Sequence, residues 1–155
     1  MKVVLINPPH TAIGSRIPQE HLPPLGLLSI AGALLDAGFT VILVDADLES
    51  FSLEQIVHTT RLHQPDVVML GHSGSSSVHT TVLLLCQQLK QAMPTLHIVY
   101  GGVHPTYHWE ETLRENRCID TIVRGEGEQT CLNLLQALAA NTPLEAVRGI
   151  AFRVG

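Results

Sequence analysis

The sequence predicts an α/β domain of the flavodoxin-like (Rossmann-like) class, with a doubly wound, five-stranded parallel sheet. Short apolar runs of strand type alternate along the chain with stretches whose apolar residues recur at helical spacing. The strand-type runs are continuously apolar, which is typical of strands that helices cover on both faces. Right-handed crossovers between such strands give 2-1-3-4-5 as the expected order.

The composition of the chain limits the classes of function that it can have. With 155 residues, 45% of them hydrophobic and 15% charged, the chain is expected to form one domain with a sizeable core. The net charge of −5 and the lack of a basic run argue against a nucleic-acid partner. No apolar stretch is long enough for a membrane span, and the start lacks a signal-peptide layout, so we expect a cytoplasmic protein. The three cysteines are far apart, which favours buried thiols over a disulfide set or a metal cluster.

The predicted elements alternate regularly. Strands are expected at residues 3–6, 40–44, 67–70, 96–100 and 121–123, and helices after the prolines at 23–24, after Ser52, from about Val78 to Ala92, at 109–116 and after Glu128. Ser52 and Gln55 predict a capping box, and Gly38 predicts a helix end. Residues 147–154 alternate weakly, like the start of another strand. We therefore expect a domain over residues 1–143, with 144–155 leading into a further module.

Four loops are expected at the carboxyl edge of the sheet, where ligands bind in open parallel folds. They cover residues 7–14, 72–77, 101–105 and 125–128, and all are rich in Gly, Ser, Pro or His. Small residues are common wherever strands turn into helices, but their presence in all four loops favours a broad concave site. The adjacent Gly101 and Gly102, expected just after strand four, would let backbone approach a flat ligand.

Several common occupants of this fold do not fit the loops. A receiver domain needs an Asp at the end of strand three, where the chain has Gly71 and His72. Pro8 and Pro9 remove two backbone donors that a flavodoxin phosphate loop would need. The glycine fingerprint of dinucleotide folds is absent after strand one, and so is a Walker lysine loop.

Ordered motifs carry a family resemblance. These are Val-Leu-Ile-Asn-Pro-Pro at 4–9, Pro-Pro-Leu-Gly-Leu-Leu at 23–28, Gln-Pro-Asp-Val-Val at 64–68, Gly-Gly-Val-His-Pro-Thr at 101–106, and Asp-Thr-Ile-Val-Arg-Gly-Glu-Gly-Glu at 120–128. With them the chain resembles the amino-terminal cobalamin-binding domain of B12-dependent radical SAM enzymes. The pattern is similar to that of the anaerobic magnesium-protoporphyrin IX monomethyl ester cyclase family, and relatives with other substrates share it.

The resemblance implies a corrin ring lying flat over the carboxyl edge, with its nucleotide tail in a groove beside strand one or three. Gly101 and Gly102 would admit the tail, and the serines after strand three would offer hydroxyl groups. The implied cofactor-binding residues are Asn7, Pro8, Pro9, His10, Gly14, His72, Ser73, Ser75, Ser76, Ser77, Gly101, Gly102, Val103, His104, Gly125 and Glu126.

His10 is the candidate cobalt ligand. Mutase-type domains use Asp-x-His-x-x-Gly after strand one, whereas here the carboxylate is missing and Gly14 lies one residue too far along. Radical SAM relatives often bind cobalamin without a protein histidine, so both modes stay open. His72 and His104 are other edge histidines, and His104 is the better candidate for a packing role.

The resemblance also implies a partner module. No Cys-x-x-x-Cys-x-x-Cys run occurs, so the [4Fe–4S] cluster and S-adenosylmethionine are expected in a C-terminal radical SAM domain beyond Gly155. The segment then binds and positions a corrinoid and is not catalytic by itself. One alternative is a degenerate module that binds no corrinoid and serves for docking. A nucleotide-sugar transferase half is disfavoured, because no general base pairs with a nucleophile.

Overall fold

The computed structural model describes residues 1–9, 22–72 and 76–154, with the side chains of residues 76 and 77 excepted. The described strands are β1 (Lys2–Asn7), β2 (Thr40–Asp45), β3 (Val67–His72), β4 (His97–Gly102), β5 (Thr121–Val123) and β6 (Ile150–Phe152). The described helices are α1 (Leu25–Asp36), α2 (Leu53–His63), α3 (Ser76–Ala92), α4 (Val103–Tyr107), α5 (Trp109–Glu115) and α6 (Glu128–Ala140), with a 3₁₀ turn at Leu144–Ala146.

The strands form one sheet in the order β2-β1-β3-β4-β5-β6. The first five strands are parallel, so the predicted class and the order 2-1-3-4-5 are confirmed. A sixth strand extends the sheet beyond the five that were predicted. It runs antiparallel to β5, with Thr121 opposite Phe152 and Val123 opposite Ile150. The weak alternation in the tail therefore does mark a strand, and the predicted domain boundary after residue 143 stays a prediction.

The sheet separates two apolar cores, and strand residues alternate between them. Val3, Leu5 and Met69 face α1 and α6, whereas Val4 and Ile6 face α2, α3 and α5. Leu5 and Ile6 are fully buried on opposite faces. Each such side chain contributes about 1.5–3 kcal/mol of burial free energy. Continuous apolar strands thus follow from helices on both faces.

Local signals in the sequence define the helix ends. Ser52 Oγ accepts from the Gln55 N–H at 3.2 Å, and Gln55 Oε1 accepts from the Ser52 N–H at 2.8 Å, so the predicted capping box is confirmed. Gly38 has φ +84° and follows α1. Its N–H donates to Leu35 O, while the Phe39 N–H donates to Leu34 O, which is a Schellman arrangement that satisfies two terminal carbonyls.

The glycine pair lies differently from the expectation. Gly101 and Gly102 are the last two residues of β4, paired with Gly71 and His72 of β3, and do not form a loop after the strand. The sheet reaches two residues farther than predicted because β3 also continues through Gly71. Helix α4 then begins at once, earlier than the single helix predicted here. Pro105 is its third residue, inside the first turn, where a missing N–H breaks no helical hydrogen bond.

No helix in the described ranges is both long enough and apolar enough to cross a membrane.

Candidate functional site

A cavity of about 570 Å³ opens at the carboxyl end of the sheet. The sheet forms its floor through β3, β4 and β5, and α1 and α6 form its walls. The segment that leads into α1 and the loop between β5 and α6 close the sides. A pocket of this size is typical of a site for a small molecule or a cofactor.

Two glycines leave the floor of the cavity bare. Met69, Val99 and Val123 line its deeper part, and Gly71 and Gly101 continue the same face toward the sheet edge. Gly71 and Gly101 are partners in the β3–β4 register, so they form one shelf of backbone, with Leu27 Cδ2 3.3 Å from where a Cβ on Gly71 would lie. A Cβ on Gly101 would lie 3.6 Å from Val123 O, which is an ordinary van der Waals contact. It would project from the floor into the cavity. The shelf therefore suits a flat ligand group that approaches backbone closely.

Gly102 is needed for a different reason. Its φ is +109°, and a Cβ built on it would lie 2.6 Å from the carbonyl oxygen of His72. The first observation concerns the backbone of Gly102 itself and the second concerns the neighbouring strand, so this glycine is required by the fold whether or not a ligand is present.

The walls and rim of the cavity are mostly apolar. Leu27 and Ile30 of α1 and Cys131 of α6 all line it. At the mouth, Leu25 and Val103 line the cavity while remaining 73% and 57% exposed. Large exposed apolar side chains around a concave site are typical of surfaces that bind a partner or a ligand.

A hydroxyl–carboxylate contact joins the two wall helices. Ser29 Oγ of α1 donates to Glu128 Oε1 of α6 at 2.7 Å. This hydrogen bond lowers the pKa of Glu128, because it favours the charged carboxylate. Glu126 also lines the cavity, so the mouth carries negative charge on its α6 side.

Thr106 connects two loops of the site. Its hydroxyl donates to Gly102 O at 2.7 Å and accepts from the Gly125 N–H at 3.1 Å. Arg124 lies beside this connection, with its guanidinium 5.1 Å from the centre of the Trp109 ring. The ends of β4 and β5 are thus held together where both enter the cavity wall.

A column of aromatic side chains lies on the α3 side of the sheet, opposite the cavity floor. The Tyr100 hydroxyl lies 2.9 Å from His72 Nε2 and 3.2 Å from His79 Nδ1. The His79 ring stacks on His104 at 3.9 Å between ring centres, and His104 stacks on His108 at 4.6 Å. A hydroxyl donates a single hydrogen, so one of the two imidazoles that contact Tyr100 is itself the donor.

Burial and neighbouring imidazoles lower the pKa of His79 to about 4, from an ordinary value of 6.5. Folding therefore favours the neutral ring, and its contribution to stability is complete above pH 6.5. Below pH 6.5 the His79 ring binds a proton in the unfolded chain but stays neutral in the folded chain. The free energy of unfolding therefore falls until about pH 4. His104, whose pKa is lowered by burial and by His108, adds to the same trend.

We predict that His79→Phe reduces this acid sensitivity, because phenylalanine keeps the ring stack and cannot be protonated. Urea unfolding at pH 7.0, 6.0 and 5.0 measures the effect. The variant should lose less stability than the parent between pH 7.0 and 5.0. Equal losses in the two proteins would contradict the assignment.

The cavity brings together part of the set of residues expected from the sequence. Its lining includes Asn7, His72, Gly101, Gly102, Val103, Gly125 and Glu126. Pro8 and Pro9 follow β1 without lining the cavity, and His104 belongs to the aromatic column. The expected residues His10, Gly14, Ser73 and Ser75 lie outside the described residues. Ser76 and Ser77 open α3, and their side chains also lie outside the description.

Asn7 is fixed in place at the end of β1. Its side chain is 3% exposed, and its amide nitrogen donates to Asp45 Oδ1 of β2 at 2.8 Å. Asp45 Oδ1 also accepts from the Leu48 N–H at 3.2 Å. The amide thus stabilises the loop after β2 as well as lining the cavity.

The cofactor-binding residues expected from the sequence did not include Gly71, Gly127 or the lining segment of residues 22–27, although Gly127 belongs to the edge loop expected at residues 125–128. Gly71 carries a usable signal, because a glycine inside an apolar strand often marks close approach of a ligand or a backbone. Gly127 lies where α6 meets α1, and a Cβ there would lie 2.8 Å from Ile30 Cδ1. No local signal shows that these two helices are neighbours, because α1 ends at Asp36 and α6 begins only at Glu128.

Among the described residues, no group of three or more His, Cys, Asp or Glu side chains is arranged to hold a metal ion. His10 as a cobalt ligand stays a prediction.

The cavity suits a flat, apolar group better than a nucleotide diphosphate. Backbone of Gly71 and Gly101 forms part of its floor, and its walls are mostly apolar. The negative charge of Glu126 and Glu128 at the mouth disfavours a ligand with several phosphates.

Fold and site together define an open, mostly parallel α/β domain with a cavity at the carboxyl edge of its sheet. The chain belongs to the B12 binding domain family, whose profile matches residues 13–135. It is 52% identical over 153 residues to the anaerobic magnesium-protoporphyrin IX monomethyl ester cyclase of Synechocystis sp., covering 99% of this chain and 31% of that protein. An uncharacterized methyltransferase of Pyrococcus horikoshii is 30% identical over 153 residues, covering 99% of this chain and 33% of that protein.

Solved structures agree on the fold. The cobalamin-dependent S-adenosylmethionine radical enzyme OxsB, with aqua-cobalamin and S-adenosylmethionine bound, superimposes with a TM-score of 0.77 at 22% identity. The match covers 97% of this chain and 20% of OxsB. The RcsB response regulator of Salmonella typhimurium matches with a TM-score of 0.61 at 17% identity, over 92% of this chain and 61% of that one. The chain spans about a third of the length of the curated relatives named above.

Proposed function

We propose that the chain is the corrinoid-binding module of a larger radical SAM enzyme and that the cavity receives the nucleotide tail of the corrinoid. The shelf of Gly71 and Gly101 carries this proposal, because it brings backbone without side chains of its own to the floor of a mostly apolar cavity, with space above Gly101 and Leu27 packed over Gly71. Membership of the B12 binding domain family supports the same ligand. The corrin ring would then lie over the carboxyl edge, next to the exposed side chains of Leu25 and Val103.

Each part of the site has a role in this proposal. Gly71 and Gly101 admit the tail, while Leu27, Ile30 and Cys131 enclose it. Thr106 keeps the loops after β4 and β5 in register. Cobalamin, when bound, supplies a cobalt centre for group-transfer chemistry, and the described residues bind and orient it. His10 is retained as the residue that would ligate cobalt, to be tested by substitution.

For the whole protein, we propose a cyclase acting on magnesium-protoporphyrin IX monomethyl ester. The 52% identity to the Synechocystis cyclase supports this choice. Methyl transfer is the second candidate, because methyltransferases are also among the relatives. One of these is the hopanoid C-3 methylase of Methylococcus capsulatus, at 28% identity. The [4Fe–4S] cluster and S-adenosylmethionine would be bound in the C-terminal radical SAM domain. The cytoplasm is the proposed compartment, since Cys86, Cys118 and Cys131 are free thiols.

The alternative of a degenerate docking module is less well supported. Such a module has no need of a cavity at the sheet edge, whereas the described residues enclose about 570 Å³ there. Membership of the B12 binding domain family also favours corrinoid binding over a docking role.

The test is a visible spectrum of the purified chain after incubation with hydroxocobalamin and desalting. Retained colour with a shifted band is expected. Cobinamide, which lacks the nucleotide tail, should be retained far less, because it leaves the cavity empty. A colourless protein with both corrinoids would contradict the proposed function, and equal retention of the two would contradict the role of the cavity. The variant His10→Ala should change the spectrum only if His10 ligates cobalt.

A further inference from the structure

His72 belongs both to the cavity and to the aromatic column. It is the last residue of β3 and lines the cavity at the carboxyl end of the sheet. Its Nε2 lies 2.9 Å from the Tyr100 hydroxyl on the α3 side, and the residue is only 6% exposed. A buried imidazole at this position connects the cavity with the opposite face of the sheet.

Tyr100 holds two imidazoles at once. Its hydroxyl also lies 3.2 Å from His79 Nδ1, and within the described ranges these two rings are its hydrogen-bond contacts. The ring centres lie 6.0 Å apart for Tyr100 and His72, and 5.8 Å apart for Tyr100 and His79. Tyr100 is fully buried, and burial raises the pKa of its hydroxyl, so the group keeps its hydrogen at neutral pH.

The single hydroxyl hydrogen allows two complete arrangements of hydrogen bonds. In the first, Tyr100 donates to His72 Nε2 and accepts from His79 Nδ1–H, so both rings carry their hydrogen on Nδ1. In the second, His72 Nε2–H donates to Tyr100, which donates to His79 Nδ1, so both rings carry it on Nε2. If both imidazoles donated, a buried hydroxyl hydrogen would lose its acceptor, and such unsatisfied groups are costly. The two rings should therefore have the same tautomer.

We propose that Tyr100 is a positioning residue that couples the tautomer of His72, at the cavity, to the tautomer of His79, under α3. Its hydroxyl acts on the cavity through His72. In the first arrangement His72 Nδ1 is a hydrogen-bond donor, and in the second it is an acceptor. The hydrogen-bonding character of a cavity residue is thus set from the far face of the sheet.

Conversion of the first arrangement into the second is balanced in protons. The His79 Nδ1 hydrogen passes to the tyrosine oxygen while the hydroxyl hydrogen passes to His72 Nε2. One proton leaves His72 at Nδ1, and one enters His79 at Nε2. All three groups are neutral before and after, and no covalent bond between heavy atoms changes.

The surroundings keep His79 neutral for this role. In the described part of the chain, the titratable groups that contact its ring or act on the rings next to it are His72, Tyr100, Cys86, His104, His108 and Glu111. Burial and the neighbouring imidazoles lower the pKa of His79 and of His104. At pH 7, His79 therefore offers Tyr100 a choice of tautomer and not a positive charge.

The first test is a long-range ¹H–¹⁵N correlation spectrum of the ¹⁵N-labelled chain at pH 7, without ligand, which identifies the nitrogen that carries hydrogen in each histidine ring. We expect the hydrogen of His72 and of His79 on the same nitrogen, both on Nδ1 or both on Nε2. Opposite tautomers in the folded parent would overturn the proposal. No corrinoid is present, so this result does not depend on the proposed function.

Two variants test the coupling itself. In His79→Phe the Tyr100 hydroxyl keeps His72 as its acceptor, so His72 should carry its hydrogen on Nδ1. In His72→Phe it keeps His79, which should carry its hydrogen on Nε2. Since the parent rings share one tautomer, one of the two variants must change the tautomer of the ring that remains. If neither variant changes it, the two rings are independent and the proposal is wrong.

His97 is the internal control. Its Nε2 lies 2.9 Å from Thr121 Oγ1, and it is the first residue of β4, at the other end of the strand from Tyr100. Its ring signals should be the same in the parent and in both variants. A change at His97 as large as the change at the coupled ring would indicate a general disturbance of the fold and would contradict a specific link.

The consequence for the cavity rests on the proposed function and is tested with Tyr100→Phe, which keeps the ring and removes the hydroxyl. The dissociation constant for hydroxocobalamin should rise roughly fivefold, because His72 is no longer held in one hydrogen-bonding role. An unchanged constant in a variant that urea unfolding shows to be folded would contradict the positioning role. A parent chain that binds no hydroxocobalamin would contradict the proposed function instead, and the tautomer spectra would still decide the coupling.

Discussion

We expect the substitution Gly101→Val to abolish retention of hydroxocobalamin while leaving the domain folded. The valine side chain would stand on the shelf shared with Gly71 and occupy the space into which the nucleotide tail is proposed to enter. The backbone tolerates the change, because φ at Gly101 is not in the left-handed region and a Cβ there makes only ordinary contacts with Val123. The dissociation constant should rise by roughly 100-fold or more, which is about 3 kcal/mol of binding free energy.

Titration followed by visible absorbance measures this effect, and urea unfolding checks that the fold is kept. Gly32→Ala in α1 is the matched control, since a Cβ there meets no atom within 4 Å and the residue does not line the cavity. The control should bind as the parent does and gain up to about 1 kcal/mol of stability from the better helix former. If Gly101→Val binds hydroxocobalamin with the parent's affinity, the tail does not use this shelf.

Much of the fold could be predicted because its signals are local. The Ser52 and Gln55 pair caps α2, and Gly38 ends α1, since each satisfies backbone groups within a few residues. Continuous apolar strands at residues 3–6 and 67–70 indicate burial on both faces, and right-handed crossovers then restrict the strand order.

The cavity could be predicted only in part, because its walls come from elements that are distant in sequence. The loops after β4 and β5 were expected at the site, and Gly101, Val103, Gly125 and Glu126 do line it. The pairing of Gly71 with Gly101 depends on the β3–β4 register, which no short motif encodes. The neighbouring positions of α1 and α6 depend on the complete winding of the chain.

The extent of the strands was predicted less well than their existence. Two glycines in a row normally favour a loop, because glycine weakens a strand. Here tertiary pairing overrides that preference, and β3 and β4 both continue to the cavity. The sixth strand was suspected only from weak alternation, since its direction is set by pairing with β5 and not by its own residues.

We predict that Gly102→Ala, one residue from the binding substitution, acts on stability and not on the shelf. Its Cβ would lie 2.6 Å from the carbonyl oxygen of His72, which is backbone of β3 and cannot rotate away. Alanine would also have to adopt φ +109°, a region that L-residues rarely enter. Left-handed strain costs about 1–3 kcal/mol, and the steric clash adds to it, so a loss of about 3 kcal/mol or more is expected.

Urea unfolding at neutral pH measures this loss. The free energy of unfolding is calculated with one m-value shared by parent and variant. The matched control is Gly101→Ala, where the nearest atom to the new Cβ is Val123 O at 3.6 Å and φ is unremarkable. That variant should lose less than about 1 kcal/mol. The two adjacent glycines would then have different roles. Gly101 would leave space for the ligand, and Gly102 would leave space for the backbone of β3. A Gly102→Ala protein as stable as Gly101→Ala would show that the β3–β4 edge relaxes freely, and the shelf would then have no rigid support.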